Sequence, residues 1–148
     1  MLKQRIEQDL KTALLAGDKF RATVLRGLKS VILYAEVERG IRDTGLDDES
    51  ITTLLAKEAK KRQESAELYI KGGSQDRADA ELREKAIIEG YLPKQLSDED
   101  LSVIIDEVVA SLDAKGPQAM GLVIGQVKEK VAGQADGARI ATLVRQRL

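Results

Sequence analysis

The residues whose types and spacing could do chemistry lie near the C-terminal end of the chain, where Lys128, Lys130, Arg139, Arg145 and Arg147 gather. Such cations can track a phosphate backbone, since each neutralised phosphate releases counterions and adds affinity independent of base sequence. Gly133 and Gly137 bracket the turn Gly133-Gln134-Ala135-Asp136-Gly137. They would let its backbone amides approach a phosphate, and the start of the last helix adds a favourable dipole. Asp136 sits at that same turn and repels an anion. The plainer reading is that the turn only reverses the chain and the bases keep the surface soluble. With no aromatic residue in this tail to stack bases, an RNA would be recognised by duplex shape and backbone. The residues that would make that contact are Lys128, Lys130, Gly133, Gly137, Arg139 and Arg145. Arg26 and Lys29 form a secondary basic edge, with Lys60 and Lys61 beside it if the early helices pack antiparallel in sequence order.

Charge is unevenly spread. The formal net charge is −1, and the isoelectric point near 5.7 is unlike that of most stand-alone nucleic-acid binders. Yet Ser97 to Asp113 holds six acids and no base, whereas Ala114 to Leu148 holds six bases against Glu129 and Asp136. The final two helices are therefore the basic side of the C-terminal part.

Other charged residues have structural readings. Arg21 and Arg62 fall on or beside apolar stripes, as does Glu89. They could line a cleft for phosphate or carboxylate, but pairing with Glu58 or Glu89 to hold bundle register is the better account, because buried charges are usually paired. Asp47-Asp48 and Asp98-Asp100 stand where acids cap helix starts, which explains them without a metal or acid–base role. Tyr69 and Tyr91 read as core or domain-interface residues with a hydroxyl at the surface.

What is missing excludes several classes. The chain has no Cys and no His, so disulfides, thiol nucleophiles, thiolate metal sites and the commonest general base are absent. No apolar run approaches the roughly 20 residues needed to span a bilayer, and Met1-Leu2-Lys3-Gln4-Arg5 leads into polar helix rather than a signal segment. We expect a cytoplasmic protein with no catalytic residues, no metal and no cofactor of its own.

The elements that must position these residues are helices. One Phe, three Tyr and no Trp among 148 residues, with abundant Leu, Ala, Lys and Glu, favour helix over strand. Leu2, Ile6, Leu10 and Leu14 set a first helix, ended by Gly17 and followed by Asp18 as a cap. Val24, Leu25, Leu28, Val31, Ile32 and Ala35 set a second, running to Gly40. Ile51, Leu54, Leu55, Ala59, Ala66, Tyr69 and Ile70 set a third that begins near Asp48 to Ser50 and stops at Gly72-Gly73. Ala78, Leu82, Ala86 and Ile87 set a fourth. Pro93 then cannot continue a helix, so the chain divides into an N-terminal helical bundle, residues 1–92, and a C-terminal three-helix domain, residues 93–148. Ser97 with Asp100 approximates a capping box, and Leu96 with Leu101 a hydrophobic staple. Leu101, Ile104, Ile105, Val108 and Leu112 face inward on helix five. Met120, Val123, Ile124, Val127 and Val131 do so on helix six, after Gly116-Pro117. Gly133 stops that helix, and Asp136 caps the last, with Ile140, Leu143, Val144 and Leu148 inward. The expected architecture is all-α, four long helices followed by three short ones. Gly121 and Gly125, four apart on helix six, would let another backbone pack closely, offsetting a cost of about 1 kcal/mol each.

Taken together, Tyr91-Leu92-Pro93-Lys94-Gln95-Leu96-Ser97, Met120-Gly121 with Val123, Lys128, and the Gly133 to Gly137 turn followed by Val144 and Leu148 resemble the YqeY family. Arg21 to Ser30 and Lys60-Lys61-Arg62 resemble its first domain. Members are free-standing relatives of the C-terminal tail of GatB, the B subunit of the tRNA-dependent amidotransferase. The resemblance implies a helical domain joined to a small three-helix tail, and tRNA or a tRNA-handling assembly as partner. It also implies association with carbon–nitrogen ligase chemistry that uses glutamine as amido donor. The chain contains neither an amidase Ser-Ser-Lys arrangement nor a phosphate-cradling Gly-x-x-x-x-Gly-Lys-Ser/Thr loop. It is therefore expected to act as an accessory RNA-binding protein. The alternatives are a protein-interaction adaptor, docking through helix five or a bundle face, or a ligase component active only with partner subunits.

Overall fold

Asp18 accepts a hydrogen bond from the Arg21 amide and opens one helix just after another has closed, the first of several local decisions that cut the chain into helices. The computed structural model describes residues 1–148 and contains no strand. Its helices are α1 Leu2–Leu15, α2 Lys19–Glu38, α3 Asp48–Lys71, α4 Gln75–Glu89, α5 Asp98–Leu112, α6 Met120–Val131 and α7 Gly137–Arg145. A single 3-10 turn, Pro117–Ala119, leads into α6. The chain forms two compact units, Met1–Leu92 and Pro93–Leu148. At 15 residues each, α4 and α5 are equal, so the expected contrast between four long helices and three short ones is not sharp.

In the first unit, Ile6 and Leu10 of α1, Leu25, Leu28 and Ile32 of α2, and Ile51 and Leu55 of α3 form one buried cluster, closed by Ile88 and Tyr91. Asp47 caps α3 by accepting from the Ser50 amide at 2.8 Å, and Asp48 accepts from the Leu2 amide at 3.0 Å. The Ser50 side chain and then its amide hold the Asp47 carboxyl below the usual carboxylate range, and the Leu2 amide does the same for Asp48. On α4 Ala78 is buried as expected and Ile87 packs, half-buried, against the core, but Ile88 is buried beside it and Ala86 is exposed. Ile70 of α3 is likewise exposed rather than inward. In the distal half of the α3–α4 hairpin only the small side chains of Ala66 and Ala78 are buried, and the pair is pinned by charge instead. Arg62 meets Glu81 at 3.2 Å and Glu84 at 3.3 Å, and Lys85 donates to Gln63 at 2.9 Å. The partners expected for Arg62 are thus corrected. Glu58 pairs one turn along its own helix with Lys61, and Glu89 with Lys85, because side chains three and four apart on one helix meet first.

Two features of this unit were not legible as sites. Glu36 is fully buried, yet it sits in the apolar register of α2 beside Ile32 and Ala35. Its carboxylate accepts from the Leu46 amide at 2.9 Å and from Lys3 Nζ at 3.0 Å. Gly45 lets the loop come that close, since a Cβ there would stand 3.1 Å from Glu36 Oε2. Tyr91 is the second. Its hydroxyl is not at the surface as expected but donates to the Asp9 carboxylate, while Arg5 covers the ring at 4.7 Å. Burial first, and then the Asp9 carboxylate, push its ionisation up to about 12.

Candidate nucleic-acid interface

The three helices of the second unit close on Leu101, Ile105 and Val108 of α5, Val123, Val127 and Val131 of α6, and Ile140 and Val144 of α7, with Ala135 between α6 and α7. Ser97 starts α5 by accepting from the Asp100 amide at 3.1 Å. Asp136 starts α7 by accepting from the Arg139 amide at 2.7 Å. Between α6 and α7 the backbone turns through two successive left-handed residues, Ala132 at φ 45° and Gly133 at φ 88°. Only the second, which lacks a Cβ, is suited to that region.

This turn is tied to the segment that precedes α5. Leu96 N donates to the Gln134 carbonyl at 2.8 Å, and Gln95 Nε2 donates to the Gly133 carbonyl at 3.2 Å. Arg139 completes the tie. Its guanidinium donates to the Leu96 carbonyl at 2.8 Å and to Asp98 Oδ1 at 2.7 Å. Arg147 is held similarly, to Asp106 at 2.6 Å and to the Leu143 carbonyl at 3.0 Å. Two of the five tail bases thus spend their donors within the unit.

Lys128, Lys130 and Arg145 form no ion pair and are exposed. Lys128 lies across the start of α7, since a Cβ on Gly137 would come within 3.1 Å of its Cε and 3.2 Å of its Nζ. There Asp136 satisfies the Arg139 amide, while the first amides of α7 remain without an intrahelical acceptor, as at any helix start. Lys128 and Gly137 are therefore brought together. Lys130, two positions along α6, points about 200° away around the helix axis and shares no face with Lys128. Gly121 and Gly125 were expected to admit a neighbouring backbone of the unit. Instead, a Cβ at either would meet nothing within 4 Å. With Lys128 they occupy positions i, i+4 and i+7, so one exposed face of α6 is bare backbone ending in a free ammonium.

In the first unit, Arg26 and Lys29 lie on the exposed side of α2, neither with a carboxylate partner. The structural role of Arg139 was missed in the sequence. The available signal was Asp98, read there only as a helix-start acid.

The family model described as Yqey-like protein matches residues 3–148. Among curated proteins, the chain is 34% identical over 86 residues to the Altered inheritance of mitochondria protein 41, mitochondrial, of Kluyveromyces lactis, covering 58% of this chain and 45% of that one. It is 44% identical over 57 residues to the E subunit of the Glutamyl-tRNA(Gln) amidotransferase of Thermococcus gammatolerans, covering 36% of this chain and 9% of that protein. Against the same amidotransferase component of Aeropyrum pernix it is 26% identical over 156 residues, covering 99% of this chain and 22% of that protein. The chain thus spans less than half the length of the yeast relative and less than a quarter of either amidotransferase protein. No helix is long and apolar enough to cross a membrane.

Proposed function

The chain belongs to the Yqey-like protein family, and from that premise we propose that it is a tRNA-binding or amidotransferase-associated accessory protein whose second unit makes the RNA contact. The observation that carries this reading is the open face of α6. Gly121 and Gly125 leave its backbone uncovered, and Lys128 ends that face beside the start of α7, exposed and outside the ion pairs of the unit. A sugar–phosphate backbone could lie against bare helix there and place a phosphate at the ammonium. Arg139 acts indirectly, by fixing the turn. Lys130 and Arg145, on other faces, add long-range attraction rather than contacts to the same phosphate. Similarity to the two amidotransferase proteins motivates tRNA as the nucleic acid. Because the chain corresponds to under a quarter of either, amidation with glutamine as donor would need other chains to supply the catalytic parts. We place this role in the cytoplasm, in translation; the yeast relative's name puts that protein in mitochondria. The adaptor alternative has one observation in its favour, an exposed apolar cluster on α2.

The test is fluorescence anisotropy of labelled total tRNA with the full chain, with Lys128→Glu, and with Gly121→Leu/Gly125→Leu. The glycine replacements should raise helix stability, since Gly is about 1 kcal/mol poorer than Ala and Leu is close to Ala. They should nonetheless weaken binding at least about ten-fold by blocking backbone approach, and Lys128→Glu should do the same with a shallower salt dependence. Binding unchanged by both, or no binding at tens of micromolar, would end this reading.

A further inference from the structure

The side of α2 that faces away from the core carries a stripe at spacing i, i+4, i+7, i+8 and i+11, namely Arg26, Ser30, Leu33, Tyr34 and Val37. All of these are exposed, with Leu33, Tyr34 and Val37 at 44%, 74% and 56%. From Lys19 to Ala35 the helix has four bases and no acid, and the ion pairs of the unit are made by other residues. The exposed side of α5 repeats the same spacing with opposite charge, in Glu99, Val103, Asp106, Glu107 and Ala110, and Val103 is 58% exposed. Glu99 and Glu107 have no cationic partner, since the paired acids of α5 and its C-cap are Asp98, Asp106 and Asp113.

We propose that the basic, apolar face of α2 is a docking surface for a second copy of this chain, which presents the acidic face of α5. Stripes of equal spacing let the ridge of one helix enter the groove of the other. Val103 and Ala110 would cover Leu33, Tyr34 and Val37, while Glu99 and Glu107 would face Arg26 and Lys29. Leu33 and Val37 offer nothing to a phosphate, and with the ring of Tyr34 they suit the core of a protein contact. One helix pair buries well under the roughly 800 Å² per partner of a standard interface, so each contact is weak. The contact joins different surfaces, so it closes only where each copy supplies both, and otherwise propagates.

Sedimentation of the full chain, without nucleic acid, tests this over concentrations of order 10 to 500 μM at about 20 mM and about 500 mM NaCl. At low salt the weight-average mass should rise from 16.2 kDa toward at least double, and high salt should reverse much of the rise. Arg26→Glu/Lys29→Glu alone, and Glu99→Lys/Glu107→Lys alone, should each weaken association at least about ten-fold. An equimolar mixture of the two variants should regain it, because each then supplies the charge the other lost. Circular dichroism checks that the variants fold, and the salt response of the unaltered chain stands if one does not. A monomer at every concentration, association indifferent to salt or to both substitutions, or a mixture no larger than its components would overturn the proposal. None of these outcomes depends on the RNA reading, which uses α6.

Discussion

Arg139 and Asp98 meet at 2.7 Å across the start of the second unit, and the same guanidinium reaches the Leu96 carbonyl at 2.8 Å. One side chain of α7 thereby fixes both the start of α5 and the segment that leads into it. Asp98 is largely exposed, so its ion pair alone contributes little, and the half-buried bond to a carbonyl matters more. Arg139→Ala should therefore lower stability by about 1–2 kcal/mol. Lys128→Ala, which breaks no hydrogen bond, should leave stability within about 0.5 kcal/mol. Urea denaturation beside a tRNA titration separates the two, with Lys128→Ala losing affinity at full stability. Equal destabilisation by both would mean that Lys128 is structural.

The paired left-handed residues before α7 make opposite predictions. Gly133→Val forces a β-branched side chain to φ 88° and should cost at least about 1–2 kcal/mol. Ala132→Gly relieves a residue already held at φ 45° and should be neutral or stabilising by up to about 1 kcal/mol, net of the entropy that glycine adds to the unfolded chain. Denaturation midpoints check the turn geometry: that of Gly133→Val should fall, while that of Ala132→Gly should hold or rise.

Glu36 links acid stability to the first unit. Burial works to raise its carboxyl value, but the Leu46 amide and then Lys3 outweigh it and hold the group below its ordinary 4.5. The fold then binds fewer protons than the unfolded chain, so this stabilisation is present above about pH 4.5 and is lost as pH falls through the lower folded value. Glu36→Gln removes that linkage and leaves the Lys3 ammonium without its partner, at a cost of about 1–3 kcal/mol at pH 7. Melting temperatures of the two chains should converge as pH drops below 4.5. A gap constant with pH would show that Glu36 carries no such charge-dependent stabilisation.

Tyr91 answers to the other end of the pH scale. Its ionisation is raised to about 12 from an ordinary value of 10.0, so the neutral phenol favours the fold. That contribution is whole below pH 10 and is lost as pH climbs through 12. Ultraviolet titration should contain a phenolate component with a midpoint near 12 that Tyr91→Phe removes. The same substitution strands the Asp9 carboxylate from its donor and should cost about 1–2 kcal/mol.

Ile6 with Leu10, and Ile51 with Leu55, announce their helices because apolar residues recurring every three to four positions leave no other face to bury. Asp18, Asp47, Ser97 and Asp136 are legible as caps because an N-cap bond reaches only two or three residues along the chain. The basic character of the tail was visible for the same reason: charge is a property of composition. What the sequence could not decide is which charges remain available. Arg139 and Lys128 are both cations of the tail, yet Asp98, 41 residues before Arg139 in the chain, occupies one, while the other lies against Gly137 and enters no ion pair. Glu36 likewise becomes a buried ion only when Lys3, 33 residues away, and the Leu46 loop are brought to it. Local sequence determined the helices because their bonds and periodicity span a few residues. The pairing and exposure of charges were decided by the tertiary structure, because they depend on which side chain of a distant segment the fold brings within reach.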